Sequence, residues 1–150
     1  MNVSVNTGFF QNKKSKNKNN GDNINQNIDI PTVVNNFVTY YYSTITTAPN
    51  KLAQDKIIRE YSAIKYQQQK LQGDDFIKLI QSMHAQNLTY NSIKMNFIDS
   101  GSRRIDISVI GTISNNTQGI LAWQKNFSQT FLLSHNKDGW FIKNSILIVI

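Results

Sequence analysis

From Leu88 to the end of the chain apolar residues recur at every second position, whereas before it they recur at intervals of three and four. A strand turns successive side chains to opposite faces, and a helix returns every third or fourth side chain to the same face. Few folds suit this order, helices first and then a run of long strands. Turn residues divide the second half into four strands. The first spans about 88–98, with Ile93, Met95 and Phe97 on one face, and Asp99-Ser100-Gly101-Ser102 reverses it. The second, about 103–114, groups Ile105, Ile107, Val109 and Ile113 and ends in Asn115-Asn116-Thr117-Gln118-Gly119. The third, about 120–133, is joined through Asn136-Lys137-Asp138-Gly139 to a fourth, Trp140 to about Val149. Turns this short join antiparallel neighbours, so the pattern predicts a meander.

Upstream, Thr32 is placed to cap a helix whose apolar residues are Val33, Val34, Phe37, Val38, Tyr41, Tyr42 and Ile45. Pro49 stands where a second helix would start, with Leu52, Ile57 and Ile58 as its stripe to about Arg59. Glu60 to Tyr66 reads as extended, and Gly73-Asp74 opens a third helix, with Asp74 as cap and Phe76, Ile77, Ile80 and Met83 as its core side. Three helices followed by an antiparallel sheet make an α+β domain over residues 32–150. Residues 1–31 are dominated by QNKKSKNKNNGDNINQN (11–27), which has almost nothing to bury and cannot offset the entropy of ordering. A disordered Asn/Lys-rich tail is expected there.

Both faces of the last strand are apolar: Ile142, Ile146, Ile148 and Ile150 on one, Phe141, Leu147 and Val149 on the other. An antiparallel sheet that faces water on one side shows polar alternation there. A second apolar face, joined by Ile110 and Leu132, therefore asks for a second cover, and the simplest is a second copy of the chain. Gln129 shares a face with Phe127 and Phe131, where an amide costs free energy unless it is hydrogen-bonded. It is expected to bond a neighbouring strand or a partner across the dimer, which assigns the interface to Gln129, Phe131, Ile110, Leu132 and Ile146.

Other classes of function are narrowed by composition. The 150 residues suit one domain. Zero Cys excludes disulfides, thiolate metal sites and cysteine nucleophiles. The net charge is +7, of which residues 1–31 hold +2 (four Lys against Asp22 and Asp29) and the remainder +5. That excess is spread out, with no dense Lys/Arg stripe interleaved with aromatics, so RNA is expected only as an indirect partner. No apolar run approaches the ~18 residues of a membrane span, and the first residues lack a secretory signal, so a cytoplasmic or nuclear protein without membrane attachment is expected. No cofactor is expected.

Four pieces occur together in order. They are Phe37-Val38-x-x-Tyr41-Tyr42 with Ala48-Pro49 and Leu52; Val109-Ile110-Gly111-x-Ile113-Ser114-Asn115-Asn116-x-Gln118; Phe127-x-Gln129-Thr130-Phe131-x-Leu133; and Trp140-Phe141-Ile142-x-Asn144. Over about residues 32–148 they resemble the nuclear transport factor 2-like family, and within it the N-terminal domain of the Ras-GAP SH3-domain-binding scaffold proteins of stress granules. The resemblance implies a cone-shaped α+β (cystatin-like) fold that dimerises through its curved sheet and binds other proteins. In the transport branch the ligands are Phe-Gly repeats of nucleoporins or the GTPase Ran; in the scaffold branch they are short Phe-containing peptides held in an aromatic groove.

By that resemblance Phe37 and Trp140 keep two of the groove's aromatic positions, with Tyr41 beside them. The third falls near Asp55, in Gln54-Asp55-Lys56, where the family usually has Phe-Tyr. The family's terminal Asn-Asp-Ile stands here as Asn144-Ser145-Ile146, and Ran binding leans on acidic residues that this basic chain largely lacks, so Ran is not an expected partner. The expectation is a homodimeric module that captures Phe-containing peptides of nucleoporins or ribonucleoprotein components. A heterodimeric messenger RNA-export subunit, paired with a second protein of the same fold, is the alternative.

The same cone houses isomerases and dehydratases, which need a buried base facing acidic or hydroxyl donors. The candidates are His84, Asp99, Asp106 and Tyr42, with His135 in a polar turn. No acid/base pair among them converges by spacing, and fold alone does not license a function. The catalytic reading therefore ranks below the binding one, and no catalytic residue is assigned.

Overall fold

The computed structural model describes residues 29–150. The tail expected over 1–31 lies outside them as far as residue 28. Helix α1, Ile30–Thr47, starts one turn earlier than its pattern suggests, with Asp29 at the N-cap and Pro31 in the first turn. Thr32, expected as the cap, lies inside the helix and donates its hydroxyl to the Asp29 carboxylate. Burial reaches most of the way round α1, because Tyr40 and Thr44 are buried as well as Val34, Phe37, Val38, Tyr41, Tyr42 and Ile45 of the expected stripe.

The second helix is shorter than expected: α2 is the single turn Lys51–Gln54. Lys56 adopts φ 60°, which a right-handed helix does not admit, and the N–H groups of Ile57 and Ile58 both fold back on the Leu52 carbonyl at 2.9 and 3.0 Å. The apolar spacing of Leu52, Ile57 and Ile58 is therefore that of a tight turn. The extended segment that follows is a hairpin, β1 (Ala63–Tyr66) and β2 (Gln69–Gln72), closed by Gln67 and Gln68 at φ 52° and 67°. Positive φ at both turn residues is the I′ geometry.

Helix α3, Asp74–Ala85, is capped by Gly73 rather than by Asp74. Gly73 is required there: at φ 58° a Cβ would stand 2.8 Å from the Glu60 carbonyl oxygen. Four long strands complete the chain, β3 (Leu88–Gly101), β4 (Arg104–Thr117), β5 (Ile120–Asn136) and β6 (Gly139–Val149). The sheet order is β2-β1-β6-β5-β4-β3. Because β1 pairs parallel to β6, the sheet is a mixed one of six strands, not the purely antiparallel four-stranded meander. Strands β3 to β6 do form that meander.

Register shifts in β3 and β6 change which residues share a face of the sheet. In β3 the register breaks between Asn91 and Lys94, with Ser92 at φ 56°, which places Leu88 and Tyr90 on the same side as Ile93, Met95 and Phe97. In β6 the pairing passes from Leu133–Ile142 to Leu132–Asn144, leaving Lys143 unpaired. Trp140 and Ile142 thus share the inner face with Ser145, Leu147 and Val149, and the expected stripe of Ile142 with Ile146 and Ile148 is split by that extra residue. The core lies between α1, α3 and this inner face. Its centre is aromatic: Phe131 meets Tyr41 and Phe37 edge-on at 4.9 and 5.0 Å, and Tyr90 meets Phe127 at 5.4 Å.

Candidate functional site

The inner face of β5 carries Phe127, Gln129, Phe131 and Leu133, and Gln129 is only 2% exposed. Its Oε1 accepts from the Tyr42 hydroxyl at 2.7 Å, its Nε2 donates to Ser145 Oγ at 3.0 Å, and that Oγ donates to the Thr130 carbonyl at 2.8 Å. The amide is thus satisfied inside the chain. Gln129 and Phe131 face the helices and not a second copy, which corrects their assignment to a dimer surface. Burial raises the phenol pKa of Tyr41, Tyr42 and Tyr90, so at neutral pH these hydroxyls are donors and not bases.

The expected groove residues are packed shut. Phe37 is fully buried against Phe131 and Tyr41, and Trp140, 7% exposed, stands edge-on to His135 at 4.8 Å. Asp55, at the third groove position, accepts the hydroxyl of Tyr40. Neither Phe37 nor Tyr41 presents an open ring face, and the Asp55 carboxylate is taken up by Tyr40.

The outer face of the sheet is open. Ile110 (55% exposed) lies across from Ser128, which lies across from Ile148 (51%). One row on, Ser108, Thr130 and Ile146 (44%) stand abreast, and in the next Asp106, half-buried Leu132 and Asn144. The structure therefore places Ile110, Leu132 and Ile146 on one face and adds Ile148, on β6 in the row of Ile110 and Ser128. Beyond the last β5–β6 pair, at Phe127–Val149, β5 continues along β4 without β6 beside it, exposing Ile120, Leu121 and Trp123.

A cleft of about 490 Å³ opens between the last turn of α1 and the start of β3. It is lined by Tyr42, Ser43, Thr46, Thr47, Thr89, Tyr90, Asn91 and Asn116, none of them charged. Of the catalytic candidates only Tyr42 reaches it. Asp99 accepts from the Gly101 amide at 3.0 Å and Asp106 from Ser100 Oγ at 2.9 Å, both at the surface. His135 Nδ1 lies 3.1 Å from an Arg103 guanidinium nitrogen, and His84 is exposed on the last turn of α3. Among the described residues no three His, Asp or Glu side chains gather to hold a metal. No helix there is long and apolar enough to cross a membrane. The cleft was not legible in the sequence, because its walls are ordinary Ser, Thr and Asn residues from three separate elements.

The family model for the nuclear transport factor 2 domain matches residues 33–149. Among solved structures, nuclear transport factor 2 of Cryptosporidium parvum superposes with a TM-score of 0.65 at 17% identity, covering 99% of this chain and 100% of that one. The yeast UBP3-associated protein BRE5 does so with a TM-score of 0.63 at 22% identity, covering 82% and 98%. Bre5 in complex with the yeast deubiquitinase Ubp3 gives 0.60 at 20% identity, covering 81% and 97%. Likeness at these identities establishes a shared fold. No curated protein sequence matches the chain.

Proposed function

The chain belongs to the nuclear transport factor 2 domain family, and on that premise we propose that it is a non-enzymatic protein-binding module that works as a homodimer. The observation that carries this reading is the outer sheet face. Ile110, Ile146 and Ile148 expose large apolar side chains over a sheet whose other side is fully packed, and contiguous exposed apolar surface marks an interaction site. Interleaved Ser108, Ser128 and Thr130 supply hydroxyls that a self-complementary contact can pair. The binding role is supported further by the Bre5 structure, since that protein of the same fold is known in complex with Ubp3. Against catalysis, the cleft holds no carboxylate, imidazole or amine to move a proton.

The ligand class is short Phe-containing peptides of nucleoporins or ribonucleoprotein components, met in the cytoplasm or nucleus during transport or stress-granule assembly. Capture at Phe37, Tyr41 and Trp140 requires those packed rings to open, so affinity there is reduced by the cost of opening. The test has two arms. Sedimentation of the wild type should give a dimer and Ile110→Asp a folded monomer; a monomeric wild type, or one that dimerises only with another protein of this fold, removes the homodimer. Phe-Gly peptides titrated into a Trp123→Phe background should change Trp140 fluorescence saturably, and no response at millimolar peptide removes the Phe-peptide reading.

A further inference from the structure

We propose that the cleft beside α1 receives an extended, uncharged segment of a partner polypeptide, which pairs with the free edge of β3 as an added strand. The inference rests on the reading of this domain as a protein-binding module and names where a captured main chain lies.

Strand β3 ends the sheet and pairs only with β4. The Asn87 carbonyl accepts from the Asn116 amide at 3.4 Å, and the Asn91 carbonyl from Thr112 Oγ1 at 3.3 Å, so residues 87 and 91 turn their main chain toward β4. By the alternation of an antiparallel ladder, Leu88 and Tyr90 turn their N–H and C=O groups to the open side. These two residues cannot rotate away, because their side chains are anchored in the core; the Tyr90 ring lies 5.2 Å from that of Tyr42 and its hydroxyl meets Met83 Sδ. The edge is thus a rigid row of donors and acceptors with a helix on its other side, the arrangement that captures a peptide by strand addition.

The cleft fixes the chemistry of that peptide. Its size falls within the range of about 300–1,000 Å³ typical of ligand sites. Thr46 and Thr47 spend their protons on the carbonyls of Tyr42 and Ser43, at 2.6 and 2.9 Å, which leaves hydroxyl oxygens as acceptors on the helix wall. A charged side chain would lose its hydration here with no opposite charge to meet, whereas Ser, Thr or Asn would find partners. The devices that discourage edge pairing begin only beyond the cleft, with the bulge at Ser92 and then Lys94. The added strand is therefore short, ending opposite Asn91.

The probe is a capped Thr-Val-Thr-Val-Thr peptide, offered to the full chain and followed by amide hydrogen exchange. Saturation is expected to slow exchange at Leu88 and Tyr90 at least tenfold. A twin peptide N-methylated at alternate amides should bind at least tenfold more weakly, a control that leaves the protein untouched, and Thr46→Arg should abolish binding without changing the circular dichroism. Equal binding by the N-methylated twin, binding of this peptide with exchange at Leu88 and Tyr90 unchanged, or its failure to bind at millimolar concentration while a Phe-Gly peptide binds, overturns the strand site and leaves the binding-module reading standing. No binding by either peptide at millimolar concentration overturns both.

Discussion

The hydroxyl of Tyr42 on α1 donates to Oε1 of Gln129 on β5 at 2.7 Å, across the centre of an otherwise apolar core. The contact continues through Ser145 on β6 to the carbonyl of Thr130, so one chain of hydrogen bonds ties the first helix to two central strands. Buried polar networks of this kind stabilise little when complete and cost much when broken. They also set register, since sliding β5 by one residue would turn Gln129 to solvent and leave Tyr42 unpaired.

Gln129→Leu should accordingly destabilise the fold by about 1–3 kcal/mol, because it leaves the buried Tyr42 hydroxyl without an acceptor and takes from Ser145 Oγ the donor it accepts from. The double variant Tyr42→Phe with Gln129→Leu should cost less than the sum of the single ones, since the second change removes an orphaned donor. Urea denaturation measures both. Strict additivity would show that the contact contributes nothing of its own, and a dimer weakened by Gln129→Leu at unchanged monomer stability would return the residue to the interface.

Gly111 is closely hemmed in on β4. A Cβ there would stand 2.8 Å from the Asn91 carbonyl, 3.0 Å from Phe127 Cε1 and 3.2 Å from Ile93 Cδ1. Backbone on one side and a packed ring on the other leave little room to relax, so Gly111→Ala should cost about 1–3 kcal/mol by overpacking. A melting temperature within a degree of the wild type would show that the bulge at Ser92 absorbs the methyl group.

How far the sequence foretold these contacts depends on what each residue type announces. Strands β3 to β6 are legible because alternation survives over many residues, and the same alternation sets Ile110, Leu132 and Ile146 on the face away from the core. The hairpin of β1 and β2 is not, because Gln67 and Gln68 adopt positive φ without the Gly or Asn that usually marks such a turn. Bulges hide for a similar reason: Lys143 and Ser92 look like any strand residue, yet each moves everything after it to the other face. That is how Ile142 came to be grouped with Ile146. The Phe neighbours of Gln129 mark its amide as needing a partner but do not say which side of the sheet that face turns to, and its partner Tyr42 lies 87 residues away, where no local pattern names it.

Alkaline pH should unfold the protein through the tyrosines. Tyr40, Tyr41, Tyr42 and Tyr90 have phenols held above the ordinary value of 10.0, chiefly by burial, and Tyr40 further by the carboxylate of Asp55. Below about pH 10 these phenols are protonated in both folded and unfolded chains and stability does not depend on them. Above it the unfolded chain releases protons that the folded chain retains, so stability falls as pH rises from about 10 toward the folded values. Phenolate absorbance at these positions should therefore appear together with loss of near-ultraviolet circular dichroism. Titration of every tyrosine with the fold intact would contradict this.

Arg59 closes the end of the sheet where α2 leads into β1. Its guanidinium carbon lies 4.0 Å from the centre of the Phe141 ring, and its nitrogens donate to the Lys56 carbonyl at 2.7 Å, Asn136 Oδ1 at 3.0 Å and the Gly139 carbonyl at 3.4 Å. Tyr61 covers the same ring edge-on at 5.5 Å, so this loop buries a Phe that would otherwise lengthen the apolar outer face. A planar guanidinium stacks flat on the ring while its N–H groups donate outward in its own plane, a geometry that a tetrahedral ammonium does not match. Arg59→Lys should thus lose nearly as much stability as Arg59→Ala, about 1 kcal/mol for a site still partly open to water. Both should also speed hydrogen exchange at Ile142, whose amide bonds the Ile57 carbonyl at 2.9 Å within the same loop. Full retention of stability and protection by Arg59→Lys would reduce the contact to one of charge alone.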